Sequence, residues 1–352
     1  ACLSGLFFYT MQGMKKEQKQ KIIVILGPNA SGKSALAVEV ARKFNGEIIS
    51  ADSRQVYKGM DIGTGKVPRD KINFKTSDVL QDVRRQYIYK NIPHYLLDVA
   101  SPKRRFTVAQ YKKLALAAIK KISNKKGYSH GRVRISRGQR PSERFSHAKI
   151  PIICGGTGFY IQAVTDNISI PEVKPDFKLR ARFEKKSAVQ LFSELKKRDP
   201  NRAKKIDRFN KRRLIRALEI IYKTGKPVPQ LKNELQFETL FLGVKKSPQE
   251  LKKLIHKRLI KRLRQGMIEE VKNLRNSGLS WKKLDDFGLE YRWIARYLQN
   301  KTTYQEMIYR LQKEIEHFAK RQMTWFKRDD RIHWIRNKKQ AQKLINRFIK
   351  KY

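Results

Sequence analysis

The chain has 352 residues, 40% of them hydrophobic, enough to bury a full core and to hold two domains. Its 81 lysines and arginines against 31 acids give a formal net charge of +50, which points to a polyanionic partner. Cys2 and Cys154 supply neither a disulfide framework nor zinc-ligand spacing, and no apolar run reaches membrane-spanning length, so a disulfide-stapled scaffold and a helical membrane protein are excluded and a reducing cytoplasm is expected.

Residues 1 to 20 read as a poorly ordered leader, with Met11 and Met14 as alternative starts. Ile22-Ile23-Val24-Ile25-Leu26 is a buried strand of mostly β-branched residues. It runs into Gly27-Pro28-Asn29-Ala30-Ser31-Gly32-Lys33-Ser34, which completes the strand, glycine-rich turn and helix pattern of a phosphate-binding loop. The glycines let backbone N–H groups turn toward phosphate oxygens, and the following helix, with Leu36, Val38, Val40, Ala41 and Phe44 periodic, adds its positive end. Lys33 reaches the terminal phosphates and the Ser34 hydroxyl ligates Mg²⁺. Such a loop holds a di- or triphosphate without saying what is done with it.

Residues 46 to 53 read as a second strand, ending in the Asp52 carboxylate and the Ser53 hydroxyl. Gly59, Gly63 and Gly65 mark a loop carrying Asp61, Thr64 and Lys66; residues 70 to 91 are charged and show no clear period. Tyr95 to Val99 reads as a third strand and residues 107 to 122 as a helix. Between positions 120 and 149 ten basic residues face a single acid, Glu143, so 123 to 149 reads as a flexible basic loop. Two roles stand for it: skimming nucleic-acid phosphates, or an insertion without function. Ile150 to Cys154 is a fourth strand running into Gly155-Gly156-Thr157-Gly158, whose bland reading is a tight turn. Strands alternating with helices imply a parallel sheet wound in βαβ units. Ligands bind at the carboxyl ends of such strands, so the phosphate loop, Asp52 and Thr157 should converge.

From Pro171 to about Leu235 the chain turns to basic helices, one near Asp176 to Leu195 and one from Lys211 to Lys223 that stops at Thr224-Gly225-Lys226-Pro227. Residues 238 to 245 return as a strand, so 169–235 is expected to be an all-helical insertion and 21–168 with 236–352 the α/β core. Thr303 with Glu306 predicts a capping box, and Ile308, Leu311, Ile315, Phe318 and Ala319 the stripe of the helix it opens. A short strand at 331 to 335 precedes a basic tail. On the residues alone Asp52 serves as a general base, a Mg²⁺ ligand or a helix cap, and the charges at Lys211, Arg212, Arg213 and Arg216 are either an RNA face or a solvated helix face. An ATP-dependent small-molecule kinase, a nucleic-acid-stimulated NTPase and a non-enzymatic RNA-binding protein are the competing classes; the arginine-rich insertion opposes the first, the lack of a second acid after Asp98 the second, and the intact Lys33-Ser34 the third.

The ordered set of motifs resembles the tRNA dimethylallyltransferase (tRNA isopentenyltransferase) family over about residues 21 to 335. The phosphate loop is followed by Ile49-Ser50-Ala51-Asp52-Ser53-Arg54-Gln55-Val56-Tyr57, Met60-Asp61-Ile62-Gly63-Thr64 and Pro93-His94-Tyr95-Leu96-Leu97-Asp98. Then come Gly155-Gly156-Thr157-Gly158-Phe159-Tyr160, Arg213-Leu214-Ile215-Arg216-Ala217-Leu218-Glu219, Thr224-Gly225-Lys226-Pro227 and Lys320-Arg321-Gln322-Met323-Thr324-Trp325-Phe326. The resemblance implies a P-loop NTPase-like sheet flanked by helices, with the insertion binding tRNA. It implies transfer of a dimethylallyl group from dimethylallyl diphosphate to N6 of the adenosine just 3′ of the anticodon, with Mg²⁺, on a monomer with no protein partner.

In that reading Asp52 is the base for an exocyclic amine, while Lys33, the loop from Gly27 to Ser34 and Ser34-bound Mg²⁺ stabilise departing diphosphate. Thr157 lies near the reacting centre as a catalytic and tRNA-contacting residue, placed to hydrogen-bond either the diphosphate or the base. Asp52, Ser53, Arg54 and Gln55 meet a nucleotide turned out of its stack, with Gln55 placed to pair with a base edge. Arg180, Arg212, Arg213, Leu214, Ile215 and Arg216 match tRNA-contacting positions, and Lys320, Arg321, Gln322, Trp325 and Phe326 divide between packing and backbone contact. The chain departs from the pattern in its long basic loop, in Phe287-Gly288-Leu289-Glu290-Tyr291-Arg292, which matches only loosely, and in lacking a C-terminal zinc finger, which suggests a bacterial type.

Overall fold

The computed structural model describes residues 19–70, 87–125, 149–171, 173–229 and 235–350. Residues 1–18 of the expected leader, most of the charged 70–91 stretch and positions 126–148 of the basic loop lie outside the described residues.

Seven strands of the described residues form one sheet. In chain order they are β1 (Gln20–Leu26), β2 (Gly46–Ala51), β3 (Tyr87–Tyr89), β4 (Ile92–Tyr95), β5 (Ile150–Gly155), β6 (Phe237–Val244) and β7 (Ile332–Ile335), and they lie in the order β3-β4-β2-β5-β1-β6-β7. Every neighbouring pair is parallel except the β3–β4 hairpin. That hairpin turns on Lys90 and Asn91, both at positive φ, as a two-residue hairpin turn demands. β1 is buried on both faces, as a central strand must be, and its alternate residues feed two cores. Ile22, Val24 and Leu26 pack with Tyr111, Ala115, Ile119 and Ile122 of the helix Val108–Ser123. Ile23 and Ile25 pack with Ala37, Val38, Val40 and Ala41 of the helix Lys33–Lys43.

The insertion has its own core around Phe183, Leu191, Leu195, Leu214 and Leu218. A fourth cluster joins the loop residues Val56, Tyr57 and Met60 to the helices that run from Pro248 to Phe326. The helix expected over 107–122 forms, capped by a Thr107–Gln110 box.

Several expectations need correcting. Gln20 belongs to β1, not to a leader. The strand expected over Tyr95–Val99 is instead β4, Ile92–Tyr95, because Leu96 and Asp98 adopt positive φ and bend the chain so that Asp98 pairs with buried Lys66. The single helix at 176–195 is two, Phe177–Glu184 and Ala188–Arg198, since Ser187 is extended and caps the second with Gln190. Thr303 accepts the Glu306 N–H, but Glu306 turns to Arg310 at 3.5 Å, so only half of the capping box forms. The basic tail is a helix, Lys338–Lys350, with Ala341 and Ile345 buried against the sheet. The two ends of the basic loop are pinned. Fully buried Glu47 receives Lys125 at 2.8 Å, Lys149 at 2.7 Å and the Tyr95 hydroxyl at 2.7 Å. Burial pushes the Glu47 carboxyl up, yet those three donors outweigh it and hold it below the ordinary glutamate value.

Candidate active site

The register of the sheet sets Leu26 beside Gly155, and Gly155 beside Ala51. The residues that follow, the phosphate loop, Gly156-Thr157 and Asp52, therefore emerge side by side at one edge. A Cβ on Gly155 would lie 2.2 Å from the Ala51 carbonyl oxygen, so a side chain there would force β2 and β5 apart. Beyond the strands Thr157 closes the gap: its N–H donates to Ala51 O at 3.1 Å and its Oγ1 accepts the Ser53 N–H at 3.1 Å.

Asp52 sits in an Asx turn, its Oδ1 accepting the Arg54 N–H at 2.9 Å and the Gln55 N–H at 3.4 Å. Among the described residues Oδ2 accepts no hydrogen bond. Asp52 and Lys33 feel each other's charge, as do Asp52 and Arg258. The carboxylate thus shares a sheet edge with the phosphate loop.

In that loop Ala30 stands at φ 64° and Gly32 at φ 88°, the latter capping the helix that begins at Lys33. Lys33 Nζ donates to Pro28 O at 3.2 Å. The Ser31 hydroxyl is buried without a partner among the described residues, a polar atom left for something the chain does not itself supply. Burial lowers the Lys33 ammonium to about 8, with the Arg258 guanidinium adding repulsion. Arg258 itself is brought down to about 9 by burial and then by Arg262. Cations held this close and dry favour a polyanion between them.

The helix Pro248–Arg264 delivers those arginines. Arg258 donates to Asn29 Oδ1. Arg262 Nη1 donates to Gly63 O and to Glu290 Oε1, both at 3.1 Å. Glu270 accepts the N–H groups of Asp61 (2.8 Å), Ile62 (2.6 Å) and Gly63 (3.0 Å) and the Tyr291 hydroxyl (2.8 Å). The glycine loop is thereby moored to the helical lobe. Sequence reasoning missed Arg258, Arg262 and Glu270, although for the two arginines a signal existed. Arg258 and Arg262 continue the stripe Leu251, Ile255, Leu259 at helical spacing, and an arginine on a buried stripe must have a partner inside.

The nucleotide-side expectations need revision. Gln55 accepts from the Ser50 hydroxyl at 2.9 Å and donates to Thr64 O and Gly65 O, each at 3.3 Å, so its amide is consumed within the chain rather than free for a base edge. Arg54 donates to Gly288 O at 3.2 Å, which gives the loosely matching 287–292 stretch a place at the pocket rim. In the insertion, Leu214 and Ile215 are buried in its core, which corrects the expectation that they touch tRNA. Arg180 grips buried Glu219 through two 2.7 Å bonds and Arg216 adds a third at 2.6 Å. Arg212 and Arg213 stay exposed.

A model of the family described as IPP transferase matches residues 55–129 and 138–329. The chain is similar to the tRNA dimethylallyltransferase of Carboxydothermus hydrogenoformans, 36% identical over 340 residues covering 94% of this chain and 96% of the relative. Among solved structures it resembles a tRNA isopentenylpyrophosphate transferase from Staphylococcus epidermidis, with TM-score 0.60, 30% identity and coverage of 95% and 100% of the two chains. It also resembles a eukaryotic dimethylallyltransferase acting on tRNA, with TM-score 0.65, 28% identity and coverage of 87% and 69%.

Proposed function

This chain belongs to the IPP transferase family, and from that premise we propose that it moves a dimethylallyl group from dimethylallyl diphosphate to N6 of the adenosine 3′-adjacent to the anticodon of tRNA. The observation that carries the reading is one sheet edge. On it a phosphate loop, a carboxylate with a free oxygen and a threonine hydroxyl are held together by strand register.

In the reaction the N6 nitrogen forms a bond to the allylic carbon, whose bond to the diphosphate oxygen breaks. Asp52 Oδ2 takes the N6 proton, which raises the density on an amine otherwise delocalised into the purine. Lys33, Arg258 and the loop amides hold the charge of the departing diphosphate. The adenine must leave its stack to reach them. The exposed Arg212 and Arg213 and the overall charge of +50 favour the tRNA backbone, while Arg180 and Arg216 act through Glu219 to keep the insertion rigid. Ser34 offers a hydroxyl oxygen beside the cradle, which fits Mg²⁺, an ion that takes few protein ligands when substrate phosphates complete its shell. Bound there, Mg²⁺ would supply charge neutralisation on the diphosphate. The family resemblance implies a monomer, and two cysteines without a disulfide framework fit a reducing cytoplasm. A kinase using the same loop is not favoured, because the relatives are named for prenyl transfer to tRNA.

The test incubates the protein with unmodified tRNA, Mg²⁺ and either dimethylallyl diphosphate or ATP. A tRNA mass gain of one dimethylallyl group is expected; ATP turnover without that gain would overturn the reading.

A further inference from the structure

The helix Tyr304–Phe326 buries Met307, Leu311, Ile315 and Ala319 along one face, and the next residue on that face is an amide, Gln322, only 8% exposed. A buried amide needs partners for both of its ends. Gln322 finds them on two different loops. Its Oε1 accepts the Asn29 N–H at 2.8 Å, inside the phosphate loop. Its Nε2 donates to Gly156 O at 2.8 Å, in the residue before Thr157. Opposite demands at the two ends allow one orientation of the amide.

The strand register between β1 and β5 ends at Leu26 and Gly155, so both anchors lie in chain that the sheet no longer pairs. The surroundings are shaped for this contact. A Cβ on Gly156 would lie 2.2 Å from the Gln322 amide nitrogen, and a Cβ on Gly158 would lie 2.3 Å from the Trp325 ring, one turn further along the same helix. Asn29 is held a second time, through its side chain, by Arg258.

We propose that Gln322 is a positioning residue, a latch that sets the spacing between the diphosphate cradle and the Thr157 hydroxyl for the transfer reaction proposed above. It touches neither substrate; it acts through Asn29 on the leaving-group side and through Gly156-Thr157 on the acceptor side. A residue that only filled the core would change stability and leave the balance of binding and turnover alone.

Gln322→Met keeps length and volume while removing both hydrogen bonds. In calorimetric titration its Kd for inorganic pyrophosphate is expected to rise about fivefold, with folding confirmed by thermal melting. In prenyl transfer to tRNA its kcat should fall about tenfold at unchanged tRNA KM, and in a Thr157→Val background the same substitution should cost less than about twofold. Gly156→Ala, which displaces the amide without altering the helix, should give the same pattern and serves if the methionine variant does not fold. Pyrophosphate affinity and kcat within about twofold of the parent, or a full additive loss on top of Thr157→Val, would overturn the latch. If the parent binds pyrophosphate but prenylates no tRNA, the proposed reaction fails while the Asn29 end of the latch still stands or falls on the pyrophosphate titration.

Discussion

At the scale of single residues the pocket divides its labour by charge. Asp52 is half-buried and spends one oxygen on its own turn, so that the other has no donor among the described residues, as the proposed base requires. Asp52→Asn preserves the turn's acceptor but abolishes the base. It should keep tRNA affinity while slowing single-turnover prenyl transfer about a hundredfold or more; turnover equal to the parent's would remove Asp52 from the chemistry. Arg258 works on the other side. Burial and the repulsion of Arg262 already weaken its hold on its proton, which suits a group that would face the proposed diphosphate. Arg258→Met removes a charged partner of the diphosphate and should raise the dimethylallyl diphosphate KM about tenfold, with tRNA KM unchanged, as steady-state kinetics would show.

At the scale of elements, the insertion is held by a buried carboxylate rather than by apolar packing alone. Glu219 is fully buried and gathers Arg180, Arg216 and the Asp176 N–H at 2.7 Å. Burial would raise its pKa; hydrogen bonds from Arg180, Asp176 and Arg216 more than offset that and leave it below 4.5. The folded state therefore binds this proton less tightly than the unfolded chain. Its stabilisation is complete above about pH 4.5 and is lost as pH falls through the lower folded value. Melting followed from pH 7 to pH 3 should show that loss, and Glu219→Gln should flatten it. The same variant should cost about 2 kcal/mol of insertion stability, since its partners are themselves partly solvated. A variant with parental stability and an unchanged pH profile would show that Glu219 does not organise the insertion. Two arginines that matched tRNA positions in the sequence thus also fasten the insertion, through a carboxylate that for Arg180 lies about forty residues away.

At the scale of the whole molecule, a net charge of +50 makes tRNA affinity a matter of ionic strength. Replacing exposed Arg212 and Arg213 together by Gln should weaken tRNA binding at all salt concentrations. It should also reduce the slope of log Kd against log salt by about 0.7–0.9 for each phosphate that goes unneutralised, without changing pyrophosphate affinity. An unchanged slope in filter-binding titrations would assign those two charges to solvent. The sequence by itself determined what depends on local order. The strand-turn-helix of the phosphate loop, Asp52 and Thr157 at strand ends, and the return of the chain to the sheet near residue 237 are all legible from short-range periodicity and turn chemistry. Only the tertiary structure decided which polar groups meet. Arg258 on Asn29, Gln322 between Asn29 and Gly156, and Glu270 on the glycine loop join positions 166 to 293 residues apart. A buried polar side chain announces that it needs a partner, but chain connectivity does not say where that partner is; the packing of the helical lobe onto the sheet edge does.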